Sequence, residues 1–136
     1  MTRARKTVRR TRNRAPTPRP IVAFCCENSA ARAAQSLAGH PLLATVEIVP
    51  VPCAGRVEIR HLLRPIENGA RAVLVLACPL DNCVYLQGNR RALKRLDRAR
   101  LTLQEAGIEP SRLRMDFLSS LDSHKLLNIL MEVNQP

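Results

Sequence analysis

The stretch that decides the fold is Ala72–Cys83, AVLVLACPLDNC. Its first six residues are all apolar, a pattern typical of a strand buried on both faces at the centre of a parallel sheet. The run ends on Cys78, and four residues later the chain presents a second cysteine, Cys83. We therefore predict a strand over Arg71–Cys78 that delivers two cysteines to one edge of a sheet.

Strand and helix signals alternate on both sides of this stretch. Short apolar runs rich in strand formers predict three further strands, over Ile21–Cys26, Thr45–Val51 and Leu113–Leu118. Apolar periodicity and capping residues predict four helices, over Ala30–Ala38, Val57–Arg64, Val84–Ala106 and from Ser119 or Ser120 to about Val133. This order predicts an α/β fold, with a single open parallel sheet of about four strands and helices on both faces, flavodoxin-like or Rossmann-like.

The positive charge of the chain is concentrated at its start. Residues 1–20 carry eight basic residues and no acidic one, whereas residues 21–136 carry fourteen basic and eleven acidic residues. We predict a basic, disordered tail over 1–20, followed by one α/β domain over 21–136. The tail is a solvated extension, a transit peptide, or an arm for an acidic partner or nucleic acid. The chain has one Tyr, two Phe and no Trp, so it has few aromatic side chains on which bases could stack. Nucleic acid is therefore a less favoured partner than an acidic protein.

No apolar run reaches the roughly 20 residues of a membrane-spanning helix, and no secretion signal follows the basic tail. We therefore expect a cytoplasmic protein without a membrane span. Its odd number of cysteines argues against a disulfide framework in such a compartment. Buried inert thiols, a metal or cluster site, and redox chemistry remain open.

The five cysteines share a position in the predicted fold. Each lies at or just past the C-terminal end of a predicted strand; they are Cys25, Cys26, Cys53, Cys78 and Cys83. Those ends meet at one edge of a parallel sheet, where ligands bind in such folds. Because neighbouring side chains of a strand point to opposite faces, we expect only one of Cys25 and Cys26 to face this crevice.

The sequence lacks the motifs of several common cofactor and metal sites. The chain has no Cys-x-x-Cys pair, no glycine-rich phosphate loop, and no histidine beside a cysteine in sequence. A thioredoxin-like, nucleotide-binding or Cys/His zinc site is therefore disfavoured. An all-thiolate site suits an iron–sulfur cluster or zinc, and free cysteine is also one of the residues most often simply buried.

Several segments together carry a family resemblance. They are IVAFCCENSA (21–30), CAGRVE (53–58), GARAVLVLACPLDNC (69–83), QGNR (87–90) and GIEPSRLRM (107–115). In order and spacing, residues 21–134 resemble the delta subunit of methyl-viologen-reducing hydrogenase, the iron–sulfur protein associated with heterodisulfide-reductase-type complexes. The resemblance implies a [2Fe–2S] cluster, and the matching ligand positions are Cys26, Cys53, Cys78 and Cys83. Ser29 stands where the family has a further cysteine, and Pro79–Asn82 departs from the family's His-Pro-Gly-Asp.

The resemblance implies a function without substrate chemistry on this chain. It would relay electrons between a hydrogenase or other redox donor and a flavin-containing partner of heterodisulfide-reductase type, as a non-catalytic subunit of a redox complex. Arg56, close to Cys53, is either a surface residue or a charge that stabilises the reduced cluster. The alternative is an assembly subunit with an empty cysteine site that docks through its basic tail and the basic helix Val84–Ala106.

Overall fold

The fold is built on four parallel strands in the order β2-β1-β3-β4. The structure, a computed structural model, describes residues 20–80, 83 and 87–135. The strands are β1 (Ile21–Cys26), β2 (Val46–Val51), β3 (Ala72–Ala77) and β4 (Leu113–Phe117). This arrangement confirms the predicted open parallel sheet and its flavodoxin-like order. The predicted tail over 1–20 lies almost entirely outside the described residues.

Four α-helices of the described residues cover the sheet. They are α1 (Ala30–Gln35), α2 (Ile59–Glu67), α3 (Gly88–Glu105) and α4 (Ser123–Val133). The apolar residues of α1 and α4 pack on one face of the sheet, and those of α2 and α3 pack on the other. Helices on both faces are therefore confirmed. Within the part of the chain that the structure describes, no helix combines the length and hydrophobicity needed to cross a membrane.

The central strands show why the sheet forms. All six residues of β3 are buried, with Leu74 and Leu76 in the α1/α4 core and Val73 and Val75 in the α2/α3 core. A strand covered on both faces needs apolar side chains at every position, which is what the sequence supplies. At the edge of the sheet, β2 tolerates Pro50, which has no N–H to donate to a second neighbouring strand.

The ends of the elements differ from prediction in physically clear ways. The second helix begins at Ile59 because Glu58 caps it, and it continues through Pro65 to Glu67 rather than ending at Arg64. The last helix begins at Ser123 with Asp122 at the N-cap position, so the expectation of Ser119 or Ser120 as its cap is wrong. The expected start of the third helix at Val84 lies outside the described residues, and the helix is described from Gly88.

The other strand and helix bounds shift by a few residues. The first helix ends at Gln35 and reaches Gly39, whose φ is +88°, through a turn. The second strand begins at Val46, and the fourth ends at Phe117. Ala106, the predicted last residue of the third helix, lies one position past the end of α3 and is exposed.

The register of the sheet brings the cysteine-bearing ends level with one another. In β1, Cys25 lies opposite Leu76 of β3 and Pro50 of β2. The residues that follow these three positions therefore emerge at the same edge, the carboxyl edge of three adjacent strands. This edge positions the candidate site.

Candidate functional site

Four cysteine sulfurs lie at this carboxyl edge as two pairs. The Sγ atoms of Cys26 and Cys78 are 3.5 Å apart, and we call these residues the inner pair. The Sγ atoms of Cys53 and Cys83 are 3.9 Å apart, and we call these residues the outer pair. Neither pair is a disulfide, since a disulfide would bring its two sulfurs to about 2.05 Å. Among the described residues, no three Cys, His, Asp or Glu side chains gather around one point as ligands of a single ion.

The inner pair is positioned by the two central strands. Cys26 is the last residue of β1, and Cys78 follows β3 directly. Their exposed fractions are only 2% and 5%. The buried side chain of Asn89, in the first turn of α3, donates to the carbonyls of Cys78 at 3.0 Å and Pro79 at 2.9 Å. The chain leaving β3 is therefore tied to α3 just beyond the inner pair.

In the outer pair, Cys53 is positioned by a turn rather than by a strand. Cys53 begins the short 3₁₀ turn Ala54–Arg56 after β2, and its sulfur accepts a hydrogen bond from the backbone N–H of Gly55 at 3.4 Å. Cys53 is buried, whereas Cys83 is half-buried. An N–H donor aimed at sulfur favours the thiolate, so the turn is suited to hold a charged sulfur.

Two glycines allow α3 to approach the outer pair. A Cβ atom on Gly88 would lie 2.1 Å from the Sγ of Cys53 and 3.4 Å from that of Cys83. A Cβ atom on Gly55 would lie 2.8 Å from the Cα of Gly88. Any side chain at either position would push the helix and the cysteine turn apart. The two glycines therefore form a tight backbone cradle beneath the outer pair.

Arg95 fastens this cradle. Its guanidinium donates to the carbonyl of Gly55 and, at 3.2 Å, to that of Val57. Arg95 belongs to the basic helix that was considered as a docking element, yet its side chain reaches back to the cysteine turn. Exposed Arg56 and Arg91 flank a cavity of about 200 Å³ whose lining also includes Cys53, Gly55 and Gly88. This side of the site is therefore positively charged.

Burial is the main influence on the thiols for which a shift is resolved. It raises the pKa of Cys53, which the Gly55 N–H lowers in part and the neighbouring Cys83 raises further. It also raises the pKa of Cys78, with the Ser29 hydroxyl lowering it and Cys26 raising it. These thiols stay protonated at neutral pH in the absence of a cation. Binding of a metal at this edge would therefore release protons.

The structure distinguishes Cys25 from Cys26. Cys25 is 0% exposed in the α1/α4 core, where its sulfur lies 3.8 Å from the carbonyl oxygen of Ala23. Burial, and then the adjacent Cys26, raise the pKa of Cys25 to about 12. Its thiol is an inert core group on the opposite face. Of the two neighbours, Cys26 is the one that joins the other three cysteines.

Sequence reasoning missed the contribution of α3 to the site. Gly88 and Asn89 lie at its start, inside the segment QGNR that carried part of the family resemblance, yet neither had been given a role. A glycine opening a long helix, where a helix former would be expected, was the available signal. No sequence pattern indicated that Arg95 would reach the cysteine turn, because that contact depends on how α3 packs.

Known proteins are similar in sequence to this chain over most of its length. Residues 21–136 match the family model described as methyl-viologen-reducing hydrogenase, delta subunit. The chain is 38% identical over 120 residues to the iron-sulfur subunit of an F420-non-reducing hydrogenase from Methanopyrus kandleri, covering 85% of this chain and 89% of that protein. It is 37% identical over 116 residues to the corresponding protein from Methanocaldococcus jannaschii, covering 83% and 86% respectively.

A third relative has a different name and a much longer chain. It belongs to a ferredoxin/F420H2-dependent CoB-CoM heterodisulfide reductase from Methanosarcina acetivorans and is 32% identical over 115 residues. The match covers 82% of this chain but 14% of that protein. A segment similar to this domain therefore occurs both as a separate component of hydrogenases and as a small part of a larger reductase polypeptide.

Proposed function

The chain belongs to the methyl-viologen-reducing hydrogenase delta-subunit family, and from this premise we propose that it is an iron–sulfur electron-transfer subunit of a redox complex. It holds a [2Fe–2S] cluster through Cys26, Cys53, Cys78 and Cys83 and has no substrate chemistry of its own. The observation that carries the proposal is the pairing of these four thiols at one edge of the sheet.

The spacing within each pair suits two thiolates on one iron. Two sulfurs at about 2.3 Å from a tetrahedral metal lie about 3.8 Å apart, close to the 3.5 Å and 3.9 Å within the inner and outer pairs. A [2Fe–2S] cluster takes four cysteine ligands, two on each iron. The inner pair would hold one iron and the outer pair the other.

The surroundings of the thiols suit a negatively charged group. The Gly55 N–H points at the sulfur of Cys53, the amino end of α3 lies against the outer pair, and Arg56 and Arg91 flank it. Such donors and charges stabilise thiolates and, in a cluster, favour the reduced state. When bound, the cluster supplies a one-electron redox centre. The residues of this chain bury its inner side and leave positive charge around its outer side.

The names of the relatives support the choice of partners. Two of them are parts of F420-non-reducing hydrogenases, and a third is part of a heterodisulfide reductase. A similar domain is a separate polypeptide in the hydrogenases and part of a larger chain in the reductase. Such a domain is suited to pass electrons between a hydrogenase and a reductase. We therefore propose a hydrogenase or other redox donor on one side and a flavin-containing subunit of heterodisulfide-reductase type on the other.

The test is to purify the full chain without oxygen, alone and with its partner, and to measure iron, acid-labile sulfide, and the visible and EPR spectra. We expect about two iron and two sulfide per chain and an EPR signal on one-electron reduction. The matched variants are Cys26→Ala and Cys25→Ala, adjacent residues on opposite faces of β1. The first should lose the cluster, and the second should keep it.

A folded wild-type chain without iron or sulfide would contradict the cluster proposal. If such a chain still assembled with the reductase partner, the alternative of an assembly subunit with an empty cysteine site would be supported instead. Equal loss of iron from Cys25→Ala and Cys26→Ala would contradict the assignment of Cys26.

A further inference from the structure

The buried hydroxyl of Ser29 does not cap the helix that follows it. The backbone N–H of Ser29 donates to the carbonyl of Cys26 at 3.1 Å, and its own carbonyl accepts from Arg32 and Ala33 at the start of α1. The residue is 2% exposed, and Oγ makes no conventional hydrogen bond in the described part of the chain.

A buried hydroxyl without a partner costs about 1–3 kcal/mol. It therefore points to an acceptor that the folded chain alone does not fully supply. Ser29 follows Cys26 by three residues, and its backbone hydrogen bond to the Cys26 carbonyl holds it against the end of β1 that carries the inner pair. Its side chain is a neighbour of the Cys78 side chain in the inner pair.

We propose that the Ser29 hydroxyl donates a hydrogen bond to sulfur at the inner pair and thereby raises the reduction potential of the cluster. The inference rests on the proposed function and adds to it a fifth residue, which touches the redox centre without ligating iron. A hydroxyl beside a thiolate has a proton to give. Hydrogen bonds to the sulfurs of a cluster stabilise its more negative, reduced state and are one of the means by which proteins set its potential.

Donation fits the site better than ligation. Cys26 and Cys78 already supply two sulfurs at the spacing of a shared iron. Ligation by Ser29 would also require loss of a proton from an aliphatic alcohol, whereas donation uses the hydroxyl as it is. The short side chain of Ser29 needs only to remain a neutral donor.

The test is the midpoint potential of Ser29→Ala, measured by EPR-monitored or optical redox titration of the cluster-loaded full chain. We expect iron and sulfide contents equal to those of the wild type. The equilibrium for one-electron reduction should become about tenfold less favourable, which is a fall of about 59 mV.

The control is Ser36→Ala, which also removes one hydroxyl near α1. The Ser36 hydroxyl donates to the carbonyl of Ala33 at 2.7 Å, away from the cysteines, so the potential of this variant should equal that of the wild type. As a second readout, thermal unfolding of the metal-free Ser29→Ala chain should occur at the wild-type temperature or above, because an unpartnered buried hydroxyl is removed.

Three results would overturn the inference. Equal potentials in Ser29→Ala and the wild type would show that the hydroxyl does not act on the cluster. Loss of iron from Ser29→Ala alone would make Ser29 a ligand or a structural residue. Absence of iron from the folded wild type would remove the proposed function and this inference with it, an outcome distinct from a cluster that is present at an unchanged potential.

Discussion

The inner and outer pairs bring similar sulfurs to similar distances by different means. The inner pair lies at the ends of β1 and β3, the two central strands, and both of its cysteines are buried. In the outer pair, Cys53 lies on a turn after an edge strand, and Cys83, which precedes α3 in the chain, is half-buried. The sheet positions the first pair, whereas a helix, two glycines and an arginine position the second. The two halves of the site should therefore respond differently to substitution.

The largest contrast is expected between Cys78→Ala and Cys83→Ala. Both variants should lose the native cluster when prepared without added thiol. A small exogenous thiol should restore part of the visible absorbance of Cys83→Ala, because that position is only half-buried, and none of that of Cys78→Ala, which is 5% exposed. Iron content and absorbance after reconstitution measure the effect, and equal rescue of both variants would contradict the distinction between the pairs.

A Gly88→Ala substitution should damage the outer pair selectively. The new methyl group would lie 2.1 Å from the sulfur of Cys53, so the helix or the cysteine turn must move, at a cost of about 1–3 kcal/mol. Alanine by itself favours a helix over glycine by about 1 kcal/mol, so any destabilisation must come from this contact. We expect a several-fold fall in iron content after reconstitution.

The control for Gly88→Ala is Gly107→Ala. A Cβ atom at Gly107 meets nothing within 4 Å, but its φ of +77° is unfavourable for alanine. This variant should be less stable by about 1 kcal/mol and yet retain its iron. A similar loss of iron from both variants would show that the site responds to global stability rather than to the glycine cradle.

The smallest effect is expected at Arg95. In Arg95→Ala the carbonyls of Gly55 and Val57 lose their donor, which should lower the free energy of unfolding by about 1–3 kcal/mol. The cluster should still form but should be lost faster in air, because the turn that carries Cys53 is less firmly held. Arg98→Ala, which shortens an exposed basic side chain on the same helix, should match the wild type in both measurements.

The same contrast explains what could be predicted from the sequence. The buried strand Ala72–Ala77, the alternation of strands and helices, and the convergence of strand ends follow from local apolar patterns and from the geometry of parallel sheets. The position of the inner pair depends almost entirely on these two properties. Strand alternation even required that only one of Cys25 and Cys26 face the crevice, although choosing between them needed the packing of α1 and α4 on one face.

The outer pair could not be predicted in the same way. Its support depends on the rotation of α3 about its axis and on a backbone contact between Gly55 and Gly88, which are 33 positions apart in sequence. Arg95 looked like its solvated neighbours because charge alone does not reveal which long side chain turns inward. The buried, unpartnered hydroxyl of Ser29 could likewise not be predicted from the sequence, because burial and the lack of a hydrogen-bond partner are properties of the folded chain.

Because Cys26 and Cys83 lie far apart along the chain, the chain must fold before a cluster can be inserted. The four thiols follow β1, β2 and β3 in the chain. The two-glycine cradle beneath the outer pair needs α3 as well. A chain that stops short of Gly88 cannot complete the site, so any cluster would be inserted after the sheet and α3 have formed. Cys83 is the least buried of the four cysteines, so iron and sulfide would enter from the side of the outer pair and reach an inner pair that the sheet has already set in place.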